Sequence, residues 1–175
     1  MINKKDGSIT FDNSDARIYY GMTKQEFESF GFDTRVWKVG NGYVHYYFDV
    51  RIVGQEFEMH VCFCPDGKLH GSLDFSVPFG YKRTWEDDRE KTSQRVCELK
   101  DEHDAWLLKN LGEPNAVDNI YNYPPFSMFP QFKDQPDYGY YSFPWGKVVS
   151  YCDPYGKYDK AGWAGAGIYV HYREA

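Results

Sequence analysis

His60, Cys62 and Cys64 alternate along one stretch of this chain, and His70 follows just after a short turn. Residues two apart on an extended strand share a face, so the first three project the same way. A three-residue loop within Cys64-Pro65-Asp66-Gly67-Lys68 returns the chain with Phe63 and Leu69 on one face, provided Gly67 is left-handed. That register sets Cys62 opposite His70 and Met59 opposite Leu73. Two thiolates and two imidazoles so placed suit tetrahedral zinc, which makes His60, Cys62 and His70 the metal candidates. Structural zinc sites usually draw ligand pairs from turns, however. The reading favoured is a row of small, covered residues on a second sheet face, with no metal and no cofactor.

Other reactive residues are scattered. His103 and Asp104 are adjacent, but neighbours on a helix point about 100° apart and do not face each other. His103 falls on an apolar stripe and reads as a core histidine. There is no serine elbow, HExxH, phosphate-binding loop or dinucleotide fingerprint. Nothing around Cys97 or Cys152 would lower a thiol pKa. The chain therefore reads as non-enzymatic, and a hydrolase built on dispersed carboxylates is the third-ranked alternative.

Two groups suit a partner. Tyr121, Tyr123, Phe126, Phe129 and Phe132 lie in a segment, Glu113 to Tyr138, that holds five prolines. Burying one large aromatic is worth about 1.5–3 kcal/mol, so these rings either cap the sheet as a lid or anchor another protein. Glu86, Asp87 and Asp88 form an acidic cluster that complements a helix start or meets a cationic surface. Asp101, Glu102 and Asp104 form another. Lys and Arg total 20 against 26 Asp and Glu, a formal charge of −6. Such a chain disfavours nucleic acid and anionic membrane, and favours a basic protein partner. No apolar leader region and no run of membrane-spanning length is present, which predicts a cytoplasmic protein.

The elements that position these residues follow from capping and periodicity. Thr23 to Glu26 spells a capping box, Met22 and Phe27 stand at the staple positions, and Gly31 supplies the stop. Alternation then marks strands around Tyr46–Ile52, Phe57–Phe63 and Leu69–Val77, with a further strand at Ser8–Phe11. A helical stripe runs through Val96, Leu99, His103, Trp106 and Leu107, with Thr84 as a cap, a break near Thr92-Ser93, and Gly112 and Pro114 ending it. Proline density predicts neither strand nor helix from Glu113 to Tyr138. Strand sequence resumes over Tyr140–Val149 and Gly167–Arg173.

The fold class is α+β: an antiparallel sheet packed by one short and one long helix, with two related helix-plus-meander halves as one reading of it. The halves are 1–82 and 83–175 of a single domain. Gly21-Met22-Thr23 with Glu26-Phe27 and the following strands resembles the helix-plus-sheet repeat of the SmpA and β-lactamase-inhibitor-like fold. That resemblance implies a binding or inhibitory module. His103-Asp104-Ala105-Trp106-Leu107, Leu111-Gly112, Trp145-Gly146-Lys147-Val148 and Ile168-Tyr169-Val170-His171-Tyr172 resemble an uncharacterised group of small bacterial proteins. The genes of that group neighbour antibacterial toxins, which implies an immunity protein that neutralises a basic toxin domain. A small-ligand or carbohydrate-binding protein with an aromatic-lined cleft is the alternative.

Overall fold

The computed structural model describes residues 1–80, 87–122, 133, 138–154 and 165–173. Tyr123, Phe126, Phe129, Phe132, Glu86 and Thr84 lie outside the described residues. The chain is α+β, with eight strands in one antiparallel sheet, a two-stranded sheet, and one short and one long helix. The small sheet pairs β1 (Ile9–Thr10) with β2 (Arg17–Ile18). A helix, α1 (Lys24–Ser29), precedes β3 (Arg35–Lys38), β4 (Val44–Ile52), β5 (Gln55–Phe63) and β6 (Leu69–Ser76). A second helix, α2 (Arg89–Leu111), precedes β7 (Ala116–Asp118), β8 (Tyr138–Phe143), β9 (Gly146–Asp153) and β10 (Gly165–Tyr172). The large sheet is ordered β3-β4-β5-β6-β10-β9-β8-β7, so each half of the chain contributes a helix and four strands. Two compact units result. One comprises Met1–Val77, Phe143–Lys147 and Tyr169–Ala175, and the other Pro78–Ser142 and Val148–Ile168.

In the first unit, the capping box forms as its sequence requires. The Thr23 hydroxyl accepts the Glu26 amide, and Glu26 Oε2 accepts the Thr23 amide at 2.8 Å. The helix is short because its task is to bury one side, chiefly Phe27. That ring lies within 4.9–5.6 Å, centroid to centroid, of Phe32, Tyr46, Phe48 and Phe63. Met59, Val61, Leu73 and Phe75 complete the buried face beside them.

Register in this unit is fixed by two turns. Between β4 and β5, Val53 and Gly54 both take positive φ (51° and 80°), the conformation of a primed two-residue turn. A β-branched residue is strained there. Asp12 compensates by accepting both turn amides, from Val53 at 2.8 Å and Gly54 at 2.6 Å, and these bonds hold its carboxyl below the usual range. Between β5 and β6, the three-residue loop forms with Gly67 at φ 80° and the Cys64 amide donating to Lys68 O.

Beyond that loop the expected register is wrong. Phe63 pairs with Leu69, but Val61 pairs with Leu73 and Met59 with Phe75. Three residues of β6 (His70, Gly71, Ser72) stand against the single Cys62, a bulge two residues larger than a regular ladder. Gly71 explains it, since a strand glycine has no side chain to pack and marks a bulge. Because the insertion is even, Leu69 and Leu73 both stay buried.

In the second unit, α2 is unbroken. Asp88, not Thr84, caps it by accepting the Lys91 amide at 2.8 Å. Thr92 is buried and its hydroxyl donates to Asp88 O at 2.8 Å, so the expected break becomes an extra tie in the first turn. Val96, Leu99, His103, Trp106, Leu107 and Leu111 form the buried stripe. Strand β7 falls inside the proline-rich segment, at the edge of the sheet, where proline nearby is tolerated. Asn115 secures it, accepting the Ser142 amide at 2.7 Å and donating to Ser142 O at 3.0 Å. The expected run Tyr140–Val149 is two strands that turn at Pro144-Trp145.

Urea denaturation tests this account of the first unit. Phe27→Ala is expected to cost about 3–5 kcal/mol of stability, and Thr23→Ala about 1 kcal/mol.

Candidate functional site

Period-two alternation in the first unit leaves a second sheet face, opposite the Phe27 core, and the ladder lines its residues into rows. Trp37 pairs with His45, and His45 with Cys62. Next, Arg35 pairs with Tyr47, Tyr47 with His60, and His60 with Asp74. Cross-strand neighbours on one face are close enough to interact. Here they form a connected chain. His60 Nδ1 lies 2.8 Å from Asp74 Oδ2, His45 Nδ1 lies 2.9 Å from His60 Nε2, and Cys62 Sγ lies 3.8 Å from His45 Nε2.

One proton arrangement satisfies the whole chain. A carboxylate only accepts, so His60 directs Nδ1–H at Asp74. When His60 Nε2 carries no proton it accepts from His45 Nδ1–H, and His45 Nε2 is left to accept from the Cys62 thiol. His45 and His60 are joined edge to edge by their hydrogen bond, the rings 7° from coplanar with centroids 5.2 Å apart, while Tyr47 stacks on His60 at 4.6 Å and 13°. Trp37, 57% exposed, tilts over His45 at 5.3 Å.

The electrostatics decide what this chain does. Burial pushes the Cys62 thiol up to about 11, with Cys64 adding to the shift. At neutral pH only about one Cys62 in ten thousand is a thiolate, so this is no armed nucleophile. Cys64 moves up for the same reasons, burial first and Asp66 second. Burial, then His60 and His70, lower the His45 pKa, which keeps the ring neutral. The result is a stiff, mostly satisfied surface of rings and polar tips.

Comparison with known proteins finds no family model, no curated protein and no solved structure that matches this chain significantly. The site therefore has to be read from its own geometry.

The metal candidates do not converge as their spacing suggests. The β6 bulge places Asp74, not Ser72, opposite His60, and takes His70 out of register with Cys62. His70 is exposed, 3.0 Å from Ser72 Oγ and edge-on to Tyr43. Among the described residues, no group of three or more His, Cys, Asp or Glu side chains is disposed to hold a metal ion. Of the partner candidates, Tyr121 is half-buried in a 3-10 turn where its amide donates to Asn119 Oδ1. Asp87 is half-buried, and exposed Asp88 is occupied as the α2 cap. These three belong to the second unit and have no part in the histidine row. His103 is fully buried, which lowers its pKa to about 4, while Asp104 pairs with Lys100 rather than with it.

His45, Tyr47, Asp74 and Trp37 are the site residues that sequence reasoning did not single out. The alternation marks His45 and Tyr47 as outward-facing. Counting back from the Val53-Gly54 turn sets His45 opposite Cys62. Asp74 needed the bulge, and Trp37 lies on a strand with no apolar alternation.

Both lowered histidines stay neutral in the fold and would charge in the unfolded chain. Their stabilisation is complete above about pH 6.5 and is lost as pH falls toward their folded values. For His103 that loss approaches about 3 kcal/mol near pH 4, and should show as a falling Tm. In an NMR titration His45 is expected below the ordinary imidazole range. His60→Gln should raise its midpoint and Asp74→Asn should lower it further.

Proposed function

We propose that this chain is a non-enzymatic protein-binding module that docks through the histidine face of its first unit. The observation that carries this reading is the pre-set row Trp37–His45–His60–Tyr47, its histidines hydrogen-bonded and Tyr47 stacked on His60, on a rigid sheet with Trp37 more than half exposed. Tryptophan and tyrosine dominate binding energy at interfaces, and rings already held in place cost little entropy to bind. A thiol pushed to about 11 speaks for binding over covalent catalysis.

The partner is a basic protein surface. On this face four carboxylates (Asp49, Glu56, Glu58, Asp74) stand with two guanidiniums, Arg35 and Arg51. Arg35 pairs with Glu58 and Arg51 with Glu56. Asp49 sits directly opposite Glu58 in the ladder, and the two acids share Arg35, so a second cation from outside would complete their neutralisation. The chain's overall charge of −6 agrees in sign. The sharpest form of the proposal is an immunity protein that neutralises a bacterial toxin by direct binding, as the resemblance of the C-terminal half implies.

Affinity purification from cells that keep the neighbouring genes is expected to return one basic partner in fixed stoichiometry. Trp37→Ala should weaken that complex about 30-fold, the effect of a 2 kcal/mol hot spot. Val117→Ala, at an exposed position of β7, should leave it unchanged. Equal binding by the two variants, or no protection of cells challenged with the partner, would overturn the proposal.

A further inference from the structure

The first unit also carries an open pocket of about 440 Å³, lined by Arg17, Arg173, Asp6, Tyr19, Tyr20 and Trp145 among others. None of these residues belongs to the histidine row. The volume is that of a small-molecule site.

Its aromatic wall is held rigidly. The Trp145 indole lies flat on Gly7, where an added Cβ would stand 2.5 Å from the ring. Its Nε1–H donates to Lys4 O at 3.0 Å, and Phe143 stacks on it at 5.1 Å and 9°. Tyr20 packs on Tyr172 at 5.5 Å, and the Tyr172 hydroxyl donates to Gly7 O at 3.0 Å. The Arg173 amide donates to Trp145 O at 2.8 Å, tying the end of β10 to the same turn.

The charges are not balanced. Among the described residues, neither Arg17 nor Arg173 forms an ion pair. The Arg17 guanidinium lies over the Tyr19 ring, 5.2 Å from its centre. Stacking occupies the face of the cation and leaves its in-plane N–H donors for an anion. Among the described residues Asp6 is the one acid in the lining, and its Oδ1 accepts the Ser8 amide at 2.9 Å and the Ser8 hydroxyl at 2.7 Å. Those bonds hold its carboxyl below the usual range, so it stays charged and offsets one guanidinium only. Among the described residues the flat-walled lining is net positive, the reverse of the chain's overall −6.

We propose that this pocket binds a small organic anion in which a carboxylate or a phosphate is joined to an aromatic or other flat ring. The anionic group meets Arg17 and Arg173, whose forked donors match either acid, and the ring packs against Tyr20 and the edge of Trp145 that lines the pocket. The proposal is independent of the docking face, and either can fail alone.

The five tryptophans give five indole N–H signals, which makes Trp145 a direct reporter by NMR. Phenyl phosphate and benzoate are the probes, with inorganic phosphate and phenol as the separated halves. Saturable movement of the Trp145 signal by either probe is expected, and the tighter one identifies the acid. Each half alone should bind at least about tenfold more weakly. Arg17→Gln with Arg173→Gln should weaken binding about tenfold or more, and so should Tyr20→Ala, while circular dichroism stays unchanged. Failure of both probes to saturate in the millimolar range, or equal binding by the double variant, would overturn the assignment.

Discussion

A shift of two residues in β6 governs the chemistry of the first unit's outer face. A regular ladder from the Phe63–Leu69 pair would set Ser72 against His60 and leave Asp74 two pairs further on, against Glu58. The bulge at His70, Gly71 and Ser72 draws Asp74 into the row instead. A carboxylate there accepts from His60, which lets His60 accept from His45 and turns three separate side chains into one chain. An odd insertion would have sent Leu73 and Phe75 to water and His60's partner to the core. Burial of the apolar set, worth about 1.5–3 kcal/mol per large side chain, therefore restricts the bulge to an even size.

Two anchors make that arrangement dependable. On the core side, Phe27 touches four aromatic rings from a helix of only six residues. Such a helix has no stability of its own, so capping and tertiary contact must supply it. On the turn side, Asp12 reaches from outside the hairpin to hold the Val53 and Gly54 amides, which fixes β4 against β5 and hence His45 against Cys62. The wet face inherits its precision from groups that are not on it.

Much of this was legible. The capping box, the three amphipathic strands and the left-handed Gly67 all follow from local rules, because each is decided within four or five residues. The stripe of α2 was equally plain, yet its start was not. Asp88 competes with Thr84 as a cap, and buried Thr92 reinforces the turn that a propensity argument would break. Strand β7 depends on Asn115 bonding to Ser142, 27 residues on, and no local pattern encodes that. The site was half visible. His60 and Cys62 drew attention by their types, but His45 and Asp74 join them only through two registers, one of them bulged. Neither Arg17 nor Arg173 has any sequence signal, since their meeting is made by the turn at Pro144-Trp145 and the close of β10.

Net charge is a poor guide to where an acidic chain meets a partner, because many of its carboxylates are already employed. Glu26 and Asp88 cap helices, and Asp12 clamps a turn. On α2, Glu98 and Glu102 share Arg95, and Asp104 holds Lys100. An exposed ion pair of this kind gains only about 0.2–1 kcal/mol, but it does neutralise a patch that would otherwise look like a docking surface. Acid only partly neutralised is what a partner can use, and on the outer face of the first unit Asp49 and Glu58 share one guanidinium, Arg35. Among the cations that no described acid neutralises by an ion pair, Arg17 and Arg173 stand out because they line one aromatic pocket. Unspent charge of either sign, placed beside rings that cannot move away, is the feature that distinguishes a recognition surface from a merely solvated one.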